Sequence, residues 1–295
     1  MHSIFKLGLQ IKETEDKMGR NGNITLLPIG GLANRMRAIA SAVYLCRLSG
    51  SSLNVYWFRD KGLNSSFASI FGEIESGNIT IHEDSLLSKL LYDHPRKHNL
   101  WLPLVPQIAL FRNRAYDHEM NGYNRDVNTF MNFLSEGNLY ISSCYPIIDF
   151  PEGLFSELFR PVPEIQAKID SVILGMSDYR IGVHVRRTDH SVSINNSPNE
   201  LFYRVIDEEL LLHPSLSIYL ATDSESVKSE FKDRYGDRIY CSSSEADRNS
   251  VSGIKEAVSE MYILSKTDKI FGSCGSSYSE VASALGNIPL MVLKK

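Results

Sequence analysis

The sequence predicts an α/β protein organised around parallel sheets. Short apolar segments of strand length alternate with longer amphipathic segments, most regularly in the second half of the chain. The first apolar segment also runs into a glycine turn that opens a helical pattern. A strand followed by a helix and another strand builds a parallel sheet, because the helix returns the chain to the same edge.

Composition and charge describe a globular protein without a general attraction for polyanions. The chain has 295 residues, of which 43% are hydrophobic and 22% charged, and its formal net charge is −4. That length suits two domains of moderate size. An acidic balance gives no electrostatic reason to expect a nucleic acid partner, so a phosphate-bearing ligand would need a local basic site.

The termini and the cysteines lead to the expectation of a cytoplasmic protein. Residues 1–20 are predicted to be a polar extension, since their short apolar part is soon interrupted by charged residues. No segment reaches the roughly 20 apolar residues of a membrane helix, so no transmembrane segment is expected. The cysteines form no C-x-x-C pair, which favours reduced thiols over a zinc site or a disulfide framework. They are Cys46, Cys144, Cys241 and Cys274.

The first half of the chain begins with a strand, a glycine turn and a helix. Residues 23–29 (NITLLPI) predict the strand, GGLANR the turn, and the apolar positions from Met36 to Leu48 the helix. Further strands are predicted at 53–58 and 138–142, and helical or mixed segments at 67–74 and 85–91. Residues 94–125, rich in Pro, Arg, Asn and His, match no pattern.

Prolines near residues 150–165 predict a domain boundary, after which the alternation is regular. We therefore expect one Rossmann-like domain over 21–155 and another over 156–295. Strands of the second domain are predicted at 179–185, 216–222, 237–241, 269–273 and 289–293. Helices are predicted between them at 164–176, 200–212, 226–236, 252–266 and 276–286.

Two adjacent arginines stand at the end of the strand YRIGVHV. Ligands of open α/β sheets bind beyond the carboxyl ends of the strands, where Arg186 and Arg187 lie. An arginine is rarely buried without an anionic partner. A protein carboxylate such as Asp189 is one candidate, and a phosphate or diphosphate is the other, since the guanidinium fork matches phosphate oxygens.

Three further motifs fall at strand ends, each with a structural alternative. The turn with Gly31 and Asn34 either opens an anion site at a helix N-terminus or is only a tight turn. Asp223 either accepts hydrogen bonds from a ligand or caps the next helix. The turn GSCGSSYS either forms a second anion cradle or supplies an N-cap serine.

Together these motifs predict a site for a nucleoside diphosphate. Two anion cradles, two arginines and an acidic strand end match the charges and donors that such a ligand needs. No D-x-D cluster is apparent near them, so we expect the arginines to neutralise the diphosphate in place of a metal ion.

The motifs also resemble the fucosyltransferase superfamily, which includes the α1,2-, α1,6- and protein O-fucosyltransferases. HVRRTD at 184–189 is similar to their signature and is closest to the α1,6 and nodulation-type enzymes. GGLANRM at 30–36 resembles their first glycine loop, and YLATDSESV at 219–227 a nucleotide-side strand end. The block at 260–282 resembles their C-terminal motif, and together the motifs span about 25–285 in family order.

The resemblance implies a GT-B glycosyltransferase, with two Rossmann-like domains facing across a cleft. It implies GDP-fucose as the donor, bound mostly by 156–295, a glycan acceptor on the side of 21–155, inversion at the anomeric carbon, and no metal. It makes Arg186 and Arg187 the catalytic pair, Arg186 on the leaving diphosphate and Arg187 supporting it or touching the donor. The implied nucleotide-sugar-binding residues are Gly31, Asn34, His184, Asp223, Glu260, Ser276, Ser277 and Tyr278.

The resulting hypothesis is a fucosyltransferase of surface polysaccharide or glycoconjugate synthesis. Its expected location is the cytoplasm, with peripheral contact at the inner membrane face as a variant. One alternative is a GT-B transferase that uses another sugar nucleotide. The other is a relative that binds a GDP-sugar or glycan without catalysis. The general base is expected in the first half, where acids such as Asp60, Glu73 and Asp149 are not distinguished by pattern.

Overall fold

The computed structural model describes residues 22–188, 190–244 and 247–295, so the predicted extension 1–20 lies outside the described residues. The chain divides into two compact units. The first comprises the described part of Met1–Phe58 together with Ile74–Phe150, and the second comprises Arg59–Glu73 together with Pro151–Lys295. Each unit contains a five-stranded sheet in which every pairing is parallel.

The first unit is an α/β layer with its first strand at the centre. The strands are β1 Ile24–Pro28, β2 Leu53–Trp57, β3 Ile79–Glu83, β4 Asn113–Tyr116 and β5 Leu139–Ser143, in the order β3-β2-β1-β5-β4. The helices are α1 Leu32–Ser49, α2 Leu86–Tyr92, α3 Leu104–Leu110 and α4 Val127–Glu136. All five residues of β1 are buried, as expected for a strand with neighbours on both sides.

The second unit repeats the plan around β6. Its strands are β6 Arg180–Val185, β7 Ser217–Thr222, β8 Ile239–Tyr240, β9 Lys269–Ser273 and β10 Leu290–Leu293, in the order β10-β9-β6-β7-β8. Its helices are α5 Leu154–Leu158, α6 Pro163–Gly175, α7 Ser191–Asn196, α8 Asn199–Leu212, α9 Glu225–Tyr235, α10 Val251–Leu264 and α11 Ser277–Gly286. Because β6 pairs in parallel with both β7 and β9, the carboxyl ends of these three strands lie side by side.

The apolar core of the second unit fixes the central strand. Ile181, Val183 and Val185 of β6 are fully buried together with Phe202 of α8 and Phe231 of α9. Their alternation along the strand places Gly182 and His184 toward the opposite face of the sheet. A Cβ at Gly182 would lie 2.8 Å from Leu264 Cδ2. Glycine at this position therefore allows α10 to pack closely on the sheet.

Most predicted elements are present, and every helix and strand predicted after residue 163 is confirmed. The predictions missed β3, β4, α3 and α4 in the first unit, and α5 and α7 in the second. The segment 67–74 contains only the short 3₁₀ turn Phe67–Ser69. Within the described ranges, no helix combines the length and the apolar character needed to cross a bilayer.

Candidate functional site

Arg186 lies where the ends of three strands meet. Its backbone amide donates to Ser273 Oγ at 3.1 Å, and that hydroxyl donates to the carbonyl of His184 at 3.2 Å. Its guanidinium Nη1 lies 3.1 Å from Asp223 Oδ2, and the side chain keeps 20% of its surface exposed. The arginine is thus held by Ser273 at the end of β9 and by Asp223 after β7, while part of its side chain remains exposed.

Asp223 organises the turn that follows β6. Its Oδ1 accepts the amide of Arg187 at 2.7 Å, and its Oδ2 accepts the hydroxyl of Thr188 at 2.7 Å and the Thr188 amide at 3.3 Å. Burial tends to raise the pKa of Asp223, but the Thr188 hydrogen bond and the charge of Arg186 outweigh it and lower that pKa. The carboxylate is therefore ionised at neutral pH. Asp189, the carboxylate nearest to the arginines in sequence, lies outside the described residues.

The guanidinium of Arg187 is occupied by protein acceptors. Its Nε and Nη2 donate to Asn199 Oδ1 at 3.1 and 2.5 Å, and Nη2 also donates to the Ser197 carbonyl at 2.7 Å. Its Nη1 donates to the carbonyl of Arg186 at 2.8 Å. These bonds tie the turn after β6 to the start of α8. Of the two roles that the resemblance offers Arg187, the geometry favours support over contact with the donor.

His184 is a neutral, buried imidazole beneath this turn. Burial, helped by the charge of Arg186, lowers the pKa of His184 to about 4. Its ring lies 4.9 Å from the ring of Tyr278, and its Nδ1 lies 3.5 Å from Ser276 Oγ. At neutral pH the imidazole therefore offers one donor and one acceptor and adds no positive charge to the site.

The serine turn between β9 and α11 is held from α7. The Cys274 amide donates to Ser197 Oγ at 2.8 Å, and Ser193 Oγ donates to the Cys274 carbonyl at 2.7 Å. Gly275 adopts a φ of +74°, which favours glycine. Ser276 occupies the N-cap position of α11 but makes no side-chain capping bond, while Ser277 begins the helix. The Ser276 hydroxyl therefore makes no capping hydrogen bond to α11, contrary to the N-cap alternative predicted for this turn.

Glu260 is a carboxyl group without its full set of hydrogen bonds. Its Oε1 is buried and, among the described residues, has no hydrogen-bond partner; the same holds for Glu256 Oε1 one turn earlier on α10. Burial, reinforced by the charge of Glu256, raises the pKa of Glu260 to about 8. A buried acceptor of this kind gains stability when a ligand supplies N–H donors.

The glycine loop of the first unit is built around a buried arginine. Arg35 has no exposed surface; its Nε donates to the Gly30 carbonyl at 2.8 Å and its Nη1 to the Phe58 carbonyl at 2.5 Å. Its guanidinium also lies 5.0 Å from the centre of the Trp57 ring. Arg35 therefore joins the ends of β1 and β2, a role that the sequence analysis did not assign.

The two glycines of the same loop differ in their requirements. Gly30 has a φ of +83°, whereas Gly31 precedes α1 with an ordinary φ of −75°. A Cβ at Gly30 would lie 3.2 Å from Asn34 Nδ2, but a Cβ at Gly31 would meet nothing within 4 Å. Gly30 is thus required by the backbone, and the space beside Gly31 is open.

The second unit brings together most of the predicted site residues. Arg186 pairs with Asp223, and His184 contacts both Ser276 and Tyr278. Ser273 links the two groups, and the charge of Asp223 also acts on Glu260. Gly31 and Asn34 belong to the first unit. Thr188, Asn199 and Ser273 were not predicted from the sequence, although Thr188 lies in the HVRRTD motif and Ser273 in the GSCGSSYS turn. Among the described residues, no group of three His, Cys, Asp or Glu side chains is arranged to hold a metal ion.

Comparison with solved structures identifies the fold. The NodZ α-1,6-fucosyltransferase soaked with GDP-fucose matches with a TM-score of 0.65 and 19% identity, covering 92% of this chain and 94% of NodZ. The chain has the fold of these fucosyltransferases. POFUT1 in complex with GDP matches with a TM-score of 0.57 and 13% identity over 94% and 99% of the two chains. An Arabidopsis thaliana FUT1 variant in complex with GDP gives 0.61 and 17% over 95% and 73%.

The likeness confirms the predicted fold class, an α/β protein of the GT-B type with two parallel, Rossmann-like sheets. A structure of the fucosyltransferase NodZ from Bradyrhizobium gives the same TM-score of 0.65. No protein-family model matches the chain, and no curated protein sequence matches it either. At identities between 13% and 19%, the likeness to these four structures is one of fold, so the activity of this chain has to be argued from its own residues.

Proposed function

We propose that this protein is a glycosyltransferase that moves fucose from GDP-fucose to a hydroxyl group of a glycan. The observation that carries the proposal is the placement of Arg186, whose partly exposed side chain lies at the meeting point of β6, β7 and β9. A cation at the carboxyl ends of parallel strands, beside the N-terminus of α11, suits a diphosphate. The fold shared with structures that hold GDP or GDP-fucose supports the choice of donor.

The second unit binds the donor in this proposal. Arg186 holds the diphosphate, and the Ser276 hydroxyl with the first amides of α11 faces it from the other side. Breaking the sugar–phosphate bond increases the negative charge on the departing GDP. Donors that bind this charge more tightly in the transition state than in the ground state accelerate the step, and no metal ion is needed for that effect.

The remaining site residues position these donors or contact the nucleoside. Asp223 and Arg187 hold the turn that carries Arg186, through the bonds described above. The Glu260 carboxylate accepts N–H groups of guanine, which supplies the donors that its buried Oε1 lacks in the free protein. The uncharged rings of His184 and Tyr278 lie against each other between the serine turn and the end of β6.

The first unit supplies the acceptor side and a base. Asp60 and Glu73 belong to the second unit, and Asp149 forms an exposed ion pair with Arg125, so these acids are poor candidates. Asp117 directly follows β4, and its Oδ1 accepts the amide of Cys144 at the end of β5 at 2.7 Å. We propose Asp117 as the base that receives the acceptor proton, because the reaction inverts the anomeric carbon and needs such a group.

We also propose a biological setting for the reaction, based on the donor and the residues. A glycan acceptor suggests a step in the synthesis of a surface polysaccharide or glycoconjugate, carried out in the cytoplasm. Peripheral contact with the inner face of a membrane would bring such an enzyme to its acceptor. A transferase of another sugar nucleotide and a non-catalytic binding protein are the competing outcomes of the experiment below.

Calorimetric titration of GDP tests the donor site. The wild-type protein is expected to bind GDP equally well with and without EDTA, and Arg186→Ala to bind about 10- to 100-fold more weakly, as expected for a lost charge-assisted hydrogen bond. Arg204→Ala is the matched control, since Arg204 is an exposed arginine on α8. Binding that requires a metal ion, or that Arg186→Ala leaves intact, would contradict the proposal.

Turnover separates the competing functions once GDP binding is established. GDP-fucose is expected to protect the fold from heat at lower concentrations than other sugar nucleotides, because only the preferred ligand stabilises the native state at low concentration. Release of GDP from GDP-fucose in the presence of glycan acceptors then indicates transfer. Tight GDP binding without turnover on any acceptor would favour the non-catalytic alternative.

A further inference from the structure

Two short helices of the first unit expose their apolar residues and bury their polar ones. In α2, Ser88 is buried, whereas Leu86 is 91% and Leu90 51% exposed. In α3, Gln107 is completely buried, whereas Val105 is 71% exposed. Helices that face water show the opposite pattern, with apolar residues toward the core.

The segment before α3 extends the same surface. We use "apolar ledge" for the exposed apolar side chains of this region. Its members are Leu86, Leu87, Leu90, Leu100, Trp101, Leu102, Val105, Ile108 and Leu110, and each has at least half of its surface exposed. The helices α2 and α3 pack against each other, so their ledge residues belong to one region of the first unit. Single exposed apolar residues are ordinary, but nine within 25 positions call for a partner.

A buried polar anchor fixes this orientation. Gln107 Nε2 donates to the carbonyls of Leu91 and Asp93 at 3.2 and 2.9 Å, and Gln107 Oε1 accepts the hydroxyl of Tyr116 at 2.9 Å. Turning α3 to bury its valine, isoleucine and leucine would break all three hydrogen bonds. The outward display of the apolar side chains is thus built into the fold of the first unit.

The charges around the ledge are mostly positive. Between residues 84 and 114 there are five lysines and arginines and two aspartates, a local charge of +3 in a chain whose net charge is −4. Asp84 lies 2.6 Å from Lys89, and Asp93 lies 2.7 Å from Arg96. Lys97 is exposed, and Arg112 keeps 70% of its side chain exposed while its Nε lies 3.6 Å from Glu136 Oε2.

We propose that the apolar ledge docks this protein onto an anionic lipid bilayer. Leucines and a tryptophan on the outer face, flanked by lysines and arginines, are the composition of helices that lie in the membrane interface. Positive flanks add attraction to anionic headgroups that a purely apolar protein partner would not require. The apolar ledge is the surface that would make the peripheral membrane contact proposed above. The docking proposal does not depend on fucosyl transfer.

Sedimentation with lipid vesicles tests the ledge. The full chain is mixed at low salt with vesicles of phosphatidylcholine alone or of phosphatidylcholine with phosphatidylglycerol. We expect binding to the anionic vesicles, weakened about 10-fold or more by the double variant Trp101→Ser, Val105→Ser, because two apolar side chains lose their burial. The control is Leu211→Ser, Leu212→Ser at the end of α8, where the leucines are similarly exposed.

Charge reversal and two further measurements make the outcomes decisive. Lys97→Glu with Arg112→Glu is expected to abolish the preference for anionic over neutral vesicles.

GDP titration on each variant shows whether the second unit still folds and binds, so that failure of the donor site is distinguished from failure of the ledge. Absence of wild-type binding to anionic vesicles, or equal binding by the ledge variants, would overturn the proposal. A wild-type dimer in light scattering that Trp101→Ser, Val105→Ser converts to a monomer would also overturn it, in favour of self-association.

Discussion

The guanidinium of Arg186 and the carboxylate of Asp223 form an ion pair of 3.1 Å across the ends of the neighbouring strands β6 and β7. The same carboxylate receives the Arg187 amide and the Thr188 hydroxyl, so a single acid determines the conformation of the turn. The parallel pairing of β6 with β7 makes this possible, because Val185 and Thr222 stand opposite each other at the last register position.

Removing the charge of Asp223 is expected to damage both the fold and the site. Asp223→Asn should lower the free energy of unfolding by about 1–3 kcal/mol, since the amide of Arg187 and the donors of Thr188 lose a charged acceptor, and should weaken GDP binding. Urea denaturation and calorimetry measure the two effects. The matched control is Asp207→Asn, because Asp207 pairs with Arg234 at 2.6 Å but is 47% exposed, so its loss should cost less than about 1 kcal/mol. Equal costs for the two variants would show that Asp223 does not organise the turn.

Glu260 is expected to link GDP binding to pH. The pKa of its carboxyl is about 8 in the free protein, and donors from guanine favour the ionised form, so binding should release a proton. GDP affinity should therefore increase by up to about tenfold per pH unit as the pH approaches 8 from below, and then level off. Calorimetry in buffers of different ionisation enthalpy counts the released proton.

Glu260→Gln should remove this pH dependence and weaken GDP binding, whereas Glu280→Gln on the exposed face of α11 should change neither. The free energy of unfolding should change with pH in the opposite direction to the GDP affinity. Because the pKa of Glu260 is raised above its ordinary 4.5, the native state keeps a proton that the unfolded chain releases, and the wild type loses stability from about pH 4.5 to 8. An unchanged pH profile of GDP affinity in Glu260→Gln would remove Glu260 from the proposed site.

His184 is expected to contribute to acid sensitivity. Its pKa falls from the ordinary 6.5 to about 4 on folding, so between these values the unfolded chain binds a proton that the native state excludes. Stability should therefore fall with decreasing pH in this window, by up to roughly 1.4 kcal/mol per pH unit for one proton. Urea denaturation between pH 4 and 7 measures this slope, which should be smaller in His184→Gln than in the wild type if the imidazole is responsible. Equal slopes for the two proteins would contradict the assignment.

Arg35 is expected to contribute far more to the stability of the first unit than an exposed arginine on the same helix. Arg35→Lys leaves two strand-end carbonyls, those of Gly30 and Phe58, without the paired donors of a guanidinium. We expect a loss of about 2–4 kcal/mol in the free energy of unfolding. Arg47→Lys, at an exposed position of the same helix, should stay within about 0.5 kcal/mol of the wild type. Similar values for both variants would refute the structural role.

Gly182 is expected to tolerate no side chain. A Cβ there would lie 2.8 Å from Leu264 Cδ2 and 3.0 Å from Thr267 Oγ1, so Gly182→Ala must displace these buried side chains of α10 and the turn after it. The cost should be about 1–3 kcal/mol. Gly77→Ala serves as the control, because a Cβ at Gly77 meets nothing within 4 Å. A stable Gly182→Ala protein would show that the contact between α10 and the sheet is adaptable.

The sequence was informative wherever a segment's own pattern decides its structure. Short apolar segments such as 218–221, bounded by polar residues, have the length of a buried strand, and the helices between them carry an apolar stripe. The edge strands β3 and β4 were missed because their half-exposed side chains give no apolar pattern. Helices α2 and α3 reverse the usual pattern: Gln107, a polar residue inside the unplaced segment 94–125, is the one that α3 buries.

The site shows the same division between pattern and partners. The sequence alone determined that Arg186, Asp223 and the serine turn follow strands, and parallel strands bring such residues to one edge. It could not determine which of the two arginines binds the ligand. Arg187 is tied to Asn199 and Ser197 while Arg186 keeps part of its surface exposed, and adjacent residues of one type cannot be told apart without their partners.

The sequence by itself determined the two parallel-sheet units and the residue types at the strand ends, because periodicity and turn residues are local properties of the chain. Only the tertiary structure decided which of these residues bear charge, which are occupied and which are left without a partner. Burial sets the pKa values of Glu260 and His184, and distant residues supply the hydrogen bonds of Asp223 and Arg35. Those properties depend on atoms brought together from separate elements, so they exist only in the folded molecule.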